Sequence, residues 1–255
     1  MQIALAEQTE TVLLVDVDRR RVWVNGKQVL GVHDRWKDAA PIYITFAVAR
    51  MLAVNGDTFD DLVRRGRLTP GQVDDALARL GKRVHRTSIG WESREVGGLV
   101  DFCIACYPGP GGIRSRWRSD LPLPEQADRL IGAGCLISGR GISSRSGYPA
   151  ITVGKTTPYR LVAFAANEID MKGLGFEPAD EDLSGTELIL PADPTIFTTA
   201  TAAGYRDRTD DIITANTLLR ADTRTDDDTI ALEEVRNRLW FLADTGYDLR
   251  WNLPS

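Results

Sequence analysis

The order of apolar and polar side chains predicts strands at the start of the chain and helices after them. Residues 11–17 are mostly apolar and β-branched, and residues 21–30 alternate around Asn25-Gly26, a pair that tolerates the positive φ angles of a tight hairpin turn. From residue 38 to residue 55, apolar side chains recur at every third or fourth position. That period is typical of a helix with one buried face, so we expect a strand hairpin followed by a first helix.

Two further helices are predicted next. The second is short and is expected to end near residues 64–66. The third has a well-marked start, with Thr69 as N-cap, Pro70 at the first helical position, and Gln72 placed to bond back to the backbone N–H of the cap. An apolar stripe follows one side of this helix as far as residue 84, and the basic side chains lie largely outside the stripe.

The remaining segments predict a mixture of strands and helices. Strands are expected over residues 87–91 and 98–107, before a Pro- and Gly-rich run at 108–112 that predicts a linker. Beyond the linker, strands are predicted at 136–142, 148–153 and 186–190, and helices at 124–133, 158–169, 210–221 and 230–245. The fold class is therefore α/β (α+β), with one domain over residues 1–107 and an α+β body with a helical acidic C-terminus over 113–255.

Composition agrees with a compact protein outside the membrane. Hydrophobic residues make up 43% of the 255 and charged residues 26%, close to globular averages. No apolar run approaches the roughly 20 residues needed to cross a bilayer, and the first residues lack the basic and apolar regions of a signal peptide. Three cysteines do not suggest a disulfide framework, so a cytoplasmic protein without membrane contact is expected.

Charge is distributed unevenly along the chain. Residues 1–160 hold 23 Lys and Arg against 17 Asp and Glu, whereas residues 161–255 hold 8 against 19. A basic first part suggests contact with an anion, and an acidic second part suggests a solvated body or one that meets a protein partner. Ordinary variation in surface charge is the alternative explanation.

A strand pair, three helices and a second hairpin form the element order of a winged helix. Residues 21–27, the short helix after Asn55-Gly56-Asp57, and residues 72–84 resemble the DNA-binding domain of response regulators of the OmpR/PhoB type. The resemblance implies that the third helix enters the major groove of double-stranded DNA while neighbouring cations contact phosphates. The DNA-binding residues it implies are Arg64, Arg65, Arg67, Gln72, Arg79, Lys82, Arg83, Arg86, Trp91 and Arg94.

These residues have different expected roles. The first three arginines flank the turn before the third helix, Gln72 and Arg79 face bases, and Trp91 and Arg94 lie on the wing, while the remaining cations contact the DNA backbone. Asp74 and Asp75 in the first turn of that helix oppose this interpretation, since they would repel a phosphate. The alternative is a surface helix with a solvated basic face.

A second resemblance lies in the middle of the chain. Residues 130–137, residues 147–153 and a helix after Thr157 are similar to a degenerate half of a LAGLIDADG homing endonuclease. That family carries an acidic metal ligand at the end of its motif helix, where this chain has Gly132-Ala133-Gly134. The resemblance implies a surface that holds DNA without cleaving it, and chance similarity is the alternative.

Other patterns give little support to catalysis or metal binding. The segment 168–172 carries an acid-x-Lys element but has no acidic residue shortly upstream, and Cys103 and Cys106 are better explained as buried small side chains than as zinc ligands. His33 and His85 are the two histidines, and neither has the setting of a general base. We therefore expect no catalytic residue, no metal and no cofactor.

The sequence predicts a sequence-specific DNA-binding protein, a bacterial or phage transcriptional regulator whose layout resembles antitoxin repressors of the AbiEi kind. The second domain would support a homodimer or bind a protein partner through its acidic part. Two alternatives remain open. One is a nucleic-acid enzyme related to LAGLIDADG endonucleases, and the other is a non-catalytic phage-type factor that binds another DNA-bound protein.

Overall fold

The protein contains two compact units, residues Met1–Asp38 and Ala39–Ser255. The computed structural model describes residues 3–5, 13–16, 21–24, 27–30, 39–54, 56–139, 161–180, 185–220, 229–230, 232–237 and 239. Both helices and sheets are present, which confirms a mixed α+β class. The units divide at residue 38 and not at the Pro- and Gly-rich run of 108–112, where the sequence predicts the domain boundary.

The first unit holds a four-stranded antiparallel sheet in which strands adjacent in sequence pair. Its strands are β1 (Ile3–Leu5), β2 (Leu13–Asp16), β3 (Arg21–Val24) and β4 (Lys27–Leu30). In the last pair Val24 lies opposite Lys27, which confirms the predicted hairpin, with a register shift between Val22 and Trp23. β1 was not predicted from the sequence, since its three residues are too few to show a period.

The second unit begins with the three predicted helices. They are α1 (Pro41–Val54), α2 (Phe59–Gly66) and α3 (Pro70–Leu80). The buried side of α3 consists of Val73, Ala76, Leu77 and Leu80, the apolar stripe seen in the sequence, and it packs chiefly on α1. The stripe ends with the helix at Leu80, one turn earlier than expected.

The next elements differ from the prediction. A 3-10 turn (Gly81–Arg83) leads into the hairpin strands β5 (Val84–Arg86) and β6 (Trp91–Ser93), and then into α4 (Val96–Cys106). The strand predicted at 87–91 is thus mostly the turn of this hairpin, and the strand predicted at 98–107 is wrong. α4 is apolar on most sides because it packs within the core, and a short apolar run does not distinguish a buried helix from a strand.

A five-stranded sheet forms the centre of the second unit. Its strands are β7 (Ile113–Arg118), β8 (Leu136–Ser138), β9 (Leu161–Phe164), β10 (Glu177–Pro178) and β11 (Thr186–Leu190). They lie in the order β10-β7-β11-β9-β8, with β9 and β11 parallel and every other pair antiparallel. The helices of this part are α5 (Leu123–Gly132), α6 (Thr195–Ala202) and α7 (Asp211–Leu219), with further helical residues between 229 and 239.

The helix predicted at 158–169 is wrong, because residues 161–164 form the strand β9. All four of its residues are buried, since β9 lies between β8 and β11 and has helices on both faces. Such a strand shows no alternation of apolar and polar positions, so its sequence does not reveal its period. The strand predicted at 148–153 lies outside the described residues.

The sheet separates two apolar layers. One face, with Phe164 and Ile189, packs in a core shared with α1, α3, α4, α6 and α7, and the other face packs on α5. The run 108–112 belongs to the first layer, since Pro110 is buried and its carbonyl accepts a hydrogen bond from the backbone N–H of Asp193 (3.0 Å). The helices before this run therefore share a core with those after it. Within the described residues, no helix is long and apolar enough to cross a bilayer.

Candidate nucleic-acid interface

Local hydrogen bonds define the start of α2 and the turn that follows it. The Thr58 hydroxyl accepts a hydrogen bond from the Asp61 backbone N–H (3.1 Å), which satisfies a donor that the helix leaves open. Arg67 ends the helix in a left-handed conformation (φ 52°), and the Leu68 N–H bonds to the Val63 carbonyl (3.0 Å). The short α2–α3 connection is therefore closed by backbone contacts.

α3 begins with the capping box that the sequence predicts. The Gln72 backbone N–H donates to the Thr69 hydroxyl (3.3 Å), and the Gln72 side-chain oxygen accepts from the Thr69 backbone N–H (2.8 Å). The amide oxygen of Gln72 is thus engaged in a cap. On the outward side α3 exposes Asp74, Asp75 and Arg79.

The hairpin after α3 is joined to the entrance of α2. Trp91 and Asp57 form a backbone bridge, with N–H to carbonyl distances of 2.8 and 3.0 Å. The Asp57 carboxylate in turn pairs with Arg65 at 2.6 Å, and Arg65 also donates to the carbonyl of Ala202 at the end of α6. The hairpin, α2 and α6 are therefore connected by a continuous set of hydrogen bonds.

This connection changes the expected role of Arg65. Its side chain is 16% exposed, and both of its terminal nitrogens bond within the protein. Arg65 is therefore less available to a phosphate than the sequence predicts. The sequence gives no local sign of this, because Ala202 lies far away along the chain.

The other predicted cations lie at the surface. Arg64 is 73% exposed and pairs with Asp61 at 2.6 Å, and Arg67 is exposed in the turn. Trp91 is half-buried and packs against the core. The remaining five are exposed on the last turn of α3, the 3-10 turn and the hairpin, and we name them the cationic surface: Arg79, Lys82, Arg83, Arg86 and Arg94.

Two contacts hold residues of the cationic surface in place. The Arg83 guanidinium lies 4.1 Å from the ring centroid of Phe102 on α4, a cation-π contact that leaves the charge exposed. The backbone N–H of Arg94 donates to the Arg83 carbonyl (2.9 Å), so the two residues are held together. Acidic side chains are also near, since Glu95 is exposed beside Arg94 and α3 exposes Asp74 and Asp75, which lie after its first turn and not in it as the sequence predicts.

A groove of about 470 Å³ lies between the hairpin and the N-terminal ends of α2 and α3. Phe59 and Trp91 provide apolar walls, and Arg86 and Asp74 provide charges of opposite sign. Ile89 at the turn of the hairpin is 75% exposed at its rim. Ile89 is not among the residues predicted from the sequence to contact DNA, although an isoleucine in a polar turn is a recognisable signal.

A second polar cluster lies in the core, centred on Arg50 of α1. Its side chain is 2% exposed and lies 3.5 Å from the Asp193 carboxylate and 3.3 Å from that of Asp210. It also donates to the hydroxyls of Thr195 (2.9 Å) and Thr199 (3.2 Å). Burial acts to lower the pKa of Arg50, but the two carboxylates outweigh it and raise the pKa overall.

Both carboxylates also accept hydrogen bonds from backbone N–H groups at helix starts, and Asp210 is the N-cap of its helix. Asp193 accepts from the Thr195 backbone N–H (2.9 Å) at the start of α6, and Asp210 accepts from the Ile213 N–H (2.9 Å) at the start of α7. Burial raises the pKa of Asp210 despite the nearby guanidinium. The cavity beside Arg50 has room for about one water molecule, so the cluster is better explained as a connection between helices than as a substrate site.

The other residues considered as metal ligands or catalytic groups lie in separate elements of the fold. Cys103 is buried on α4 as expected, and burial raises its thiol pKa to about 12, whereas Cys106 is exposed. Asp170 lies in a turn and accepts from the Gly173 N–H (3.0 Å). Among the described residues, no group of three or more His, Cys, Asp or Glu is placed to hold a metal ion. His33 lies outside the described residues.

The segment similar to a LAGLIDADG half is described in part. α5 and β8 lie within this segment, residues 140–160 lie outside the described residues, and β9 stands where a helix after Thr157 is predicted. A scan against models of protein families, a search of curated proteins and a search of solved structures each found no match.

Proposed function

We propose that this protein binds double-stranded DNA as a sequence-specific transcriptional regulator, with α2, α3 and the β5–β6 hairpin acting as a winged-helix-like unit. The observation that carries the proposal is the cationic surface, five exposed Lys and Arg side chains on consecutive elements. Cations of this kind bind DNA by neutralising phosphates and releasing condensed counterions.

In this arrangement α3 and the hairpin contact different parts of the DNA. α3 is packed by one face onto α1, so its other face, with Arg79, is available to base edges. The hairpin and 3-10 turn supply the phosphate contacts. Gln72 contributes less to base recognition than the sequence suggests, since its amide oxygen caps α3.

The first prediction concerns the salt dependence of binding. Changing Arg79, Lys82 and Arg83 together to Ala should weaken duplex binding at least about tenfold and reduce the slope of log K against log salt by about 2, because Lys82 and Arg83 are the two phosphate contacts among the three. The measurement is a fluorescence anisotropy titration of the full chain with a labelled random-sequence 30-bp duplex at several salt concentrations.

A matched control has the same change in net charge elsewhere. Arg118, Arg129 and Arg236 are exposed arginines, each in a surface ion pair, and all three lie outside the cationic surface. Their triple change to Ala should leave the slope nearly unaltered. Equal losses in the two triple variants would show that the overall charge governs binding, and would overturn the assignment of the surface.

The second prediction concerns the two exposed aspartates of α3, Asp74 and Asp75. Replacing Asp74 and Asp75 together with Asn should raise DNA affinity about three- to tenfold, because two charges that repel phosphate are removed near the groove. The helix itself should keep its stability nearly unaltered, because both aspartates lie beyond the first turn, within which the helix dipole acts. The same titration measures the change. An unaltered affinity would place this end of α3 outside the contact.

The partners expected for the α+β body, residues 113–255, remain predictions. A second copy of the chain, or a protein that contacts the acidic C-terminal part, is suggested by charge alone. Sedimentation of the full chain with and without the duplex would measure the stoichiometry directly.

A further inference from the structure

Ile89 is the most exposed of the large hydrophobic side chains that are exposed in the described part of the chain. It is 75% exposed, compared with 46–51% for Ile42, Ile113 and Ile230. A single exposed apolar side chain is ordinary in a folded protein and does not by itself mark a site. The structure around Ile89 is what distinguishes it.

The turn that carries Ile89 is closed by its own hydrogen bonds. The Thr87 backbone N–H donates to the Gly90 carbonyl (2.7 Å), and the Thr87 hydroxyl donates to the same oxygen (3.3 Å). The Ile89 N–H donates to the Thr87 hydroxyl (3.4 Å). These bonds favour one backbone conformation, in which the isoleucine side chain points into solvent.

The base of the same turn is packed closely against the scaffold. A Cβ added to Gly90 would lie 2.5 Å from the Asp57 carbonyl oxygen, so the two backbones approach more closely than any side chain allows. The next residue, Trp91, forms the backbone bridge to Asp57. The tip is therefore held at a defined place beside α2 and α3, and Ile89 is not free to fold back onto the core.

The charges near Ile89, at the tip of the β5–β6 hairpin, indicate what kind of partner the tip contacts. Arg86 and Asp74 line the groove at whose rim Ile89 lies, and two further cations, Arg83 and Arg94, are exposed at the other end of the hairpin. A rigid apolar tip on a hairpin with three exposed cations along it or beside its base is complementary to a polyanion with an apolar interior. Duplex DNA fits this description, with phosphates outside and stacked bases within.

We propose that Ile89 acts as an apolar wedge that enters the minor groove and partly unstacks one base step, while the cationic surface holds the flanking phosphates. This inference rests on the proposed DNA binding. Insertion would bend the duplex toward its major groove and would make affinity depend on how easily the contacted step unstacks.

The test compares two labelled 25-bp duplexes of equal sequence, one fully paired and one with a single central mismatch. The full chain should bind the mismatched duplex about tenfold more tightly, because the mismatch lowers the cost of unstacking. Ile89→Ala should lose that preference while retaining the salt slope set by the cationic surface. Ile113→Ala, at an exposed isoleucine on β7, should keep it.

The outcomes separate the wedge from the function on which it rests. If Ile89→Ala behaves like the unaltered chain on both duplexes, DNA binding stands and the wedge is overturned. If the unaltered chain binds neither duplex, the proposed function itself fails. Binding to phosphatidylserine vesicles that is lost in Ile89→Ala, without a mismatch preference, would assign the tip to a lipid surface and overturn the inference. Because Ile89 is exposed, its change to Ala should leave folding nearly unaltered.

Discussion

Replacing Arg50 with Met should destabilise the second unit by about 3 to 5 kcal/mol, because the change leaves two buried carboxylates without their cation. Asp193 and Asp210 are 0% and 3% exposed, and each lies within 3.5 Å of the guanidinium. Methionine fills a similar volume and adds no polar group, so the loss of charge dominates. Urea unfolding followed by near-UV circular dichroism measures the change in free energy.

The matched control is Arg64→Met at a surface ion pair. The Arg64 side chain is 73% exposed, so its pair with Asp61 should contribute no more than about 1 kcal/mol. A loss at Arg50 as small as that at Arg64 would contradict the assigned role of the buried cluster. The double variant Arg50→Met/Asp210→Asn should have a higher free energy of unfolding than Arg50→Met alone, since one of the two buried carboxylates left without a cation is removed.

The destabilisation of Arg50→Met should also grow with pH. Burial already raises the pKa of Asp210, and removing the cation that opposes this effect raises the pKa further. A carboxyl whose pKa is higher in the folded state than in the unfolded state stabilises the fold while protonated. That contribution is present below the unfolded value of about 4 and is lost as pH rises through the folded pKa. Unfolding at pH 5 and pH 8 provides the comparison.

Replacing Gly112 with Ala should cost about 2 to 5 kcal/mol, because the new Cβ would overlap the backbone of the adjacent strand. The Cβ would lie 2.0 Å from the Leu190 carbonyl oxygen and 2.7 Å from the Ala192 nitrogen. Gly112 also has φ 89°, a conformation that L side chains rarely adopt. Since Ile113 pairs with Leu190 across β7 and β11, relief of the overlap would disturb the sheet at its centre.

A Gly134→Ala variant distinguishes the cost of steric overlap from the cost of the unfavourable backbone conformation. Gly134 has φ 86°, and an added Cβ there would meet nothing within 4 Å. It should therefore cost only the conformational part, about 1 to 2 kcal/mol. Equal free energies of unfolding for the two variants would show that the sheet adjusts without loss at Gly112. The measurement is urea unfolding of both variants under the same conditions.

Sequence patterns predicted the elements whose causes are local. The capping box of α3 depends on residues three apart, and the hairpin of β3 and β4 depends on a two-residue turn. The exposure of Arg79 on α3 was also recognisable, because a stripe of apolar positions indicates which face of a helix is buried. These predictions needed no knowledge of distant residues.

The errors occur where distant segments determine the local structure. β9 and α4 are both short apolar runs, and only their neighbours decide that one is a central strand and the other a buried helix. The run 108–112 has the composition of a linker but packs against Asp193, which is far away in the sequence. The sequence gives only a weak sign that Arg50 is buried, namely that it is a charged residue within the apolar stretch of α1.

Local chemistry in the sequence therefore established the first three helices, the cap of the third, the N-terminal hairpin and the concentration of basic residues between positions 64 and 94. The tertiary structure decided which of those cations face solvent, that Arg65 is held inside, and that Arg50 joins the starts of α6 and α7. The reason is physical: helix caps and tight turns depend on neighbours within a few residues, whereas ion pairs and strand order depend on contacts between segments that only folding brings together.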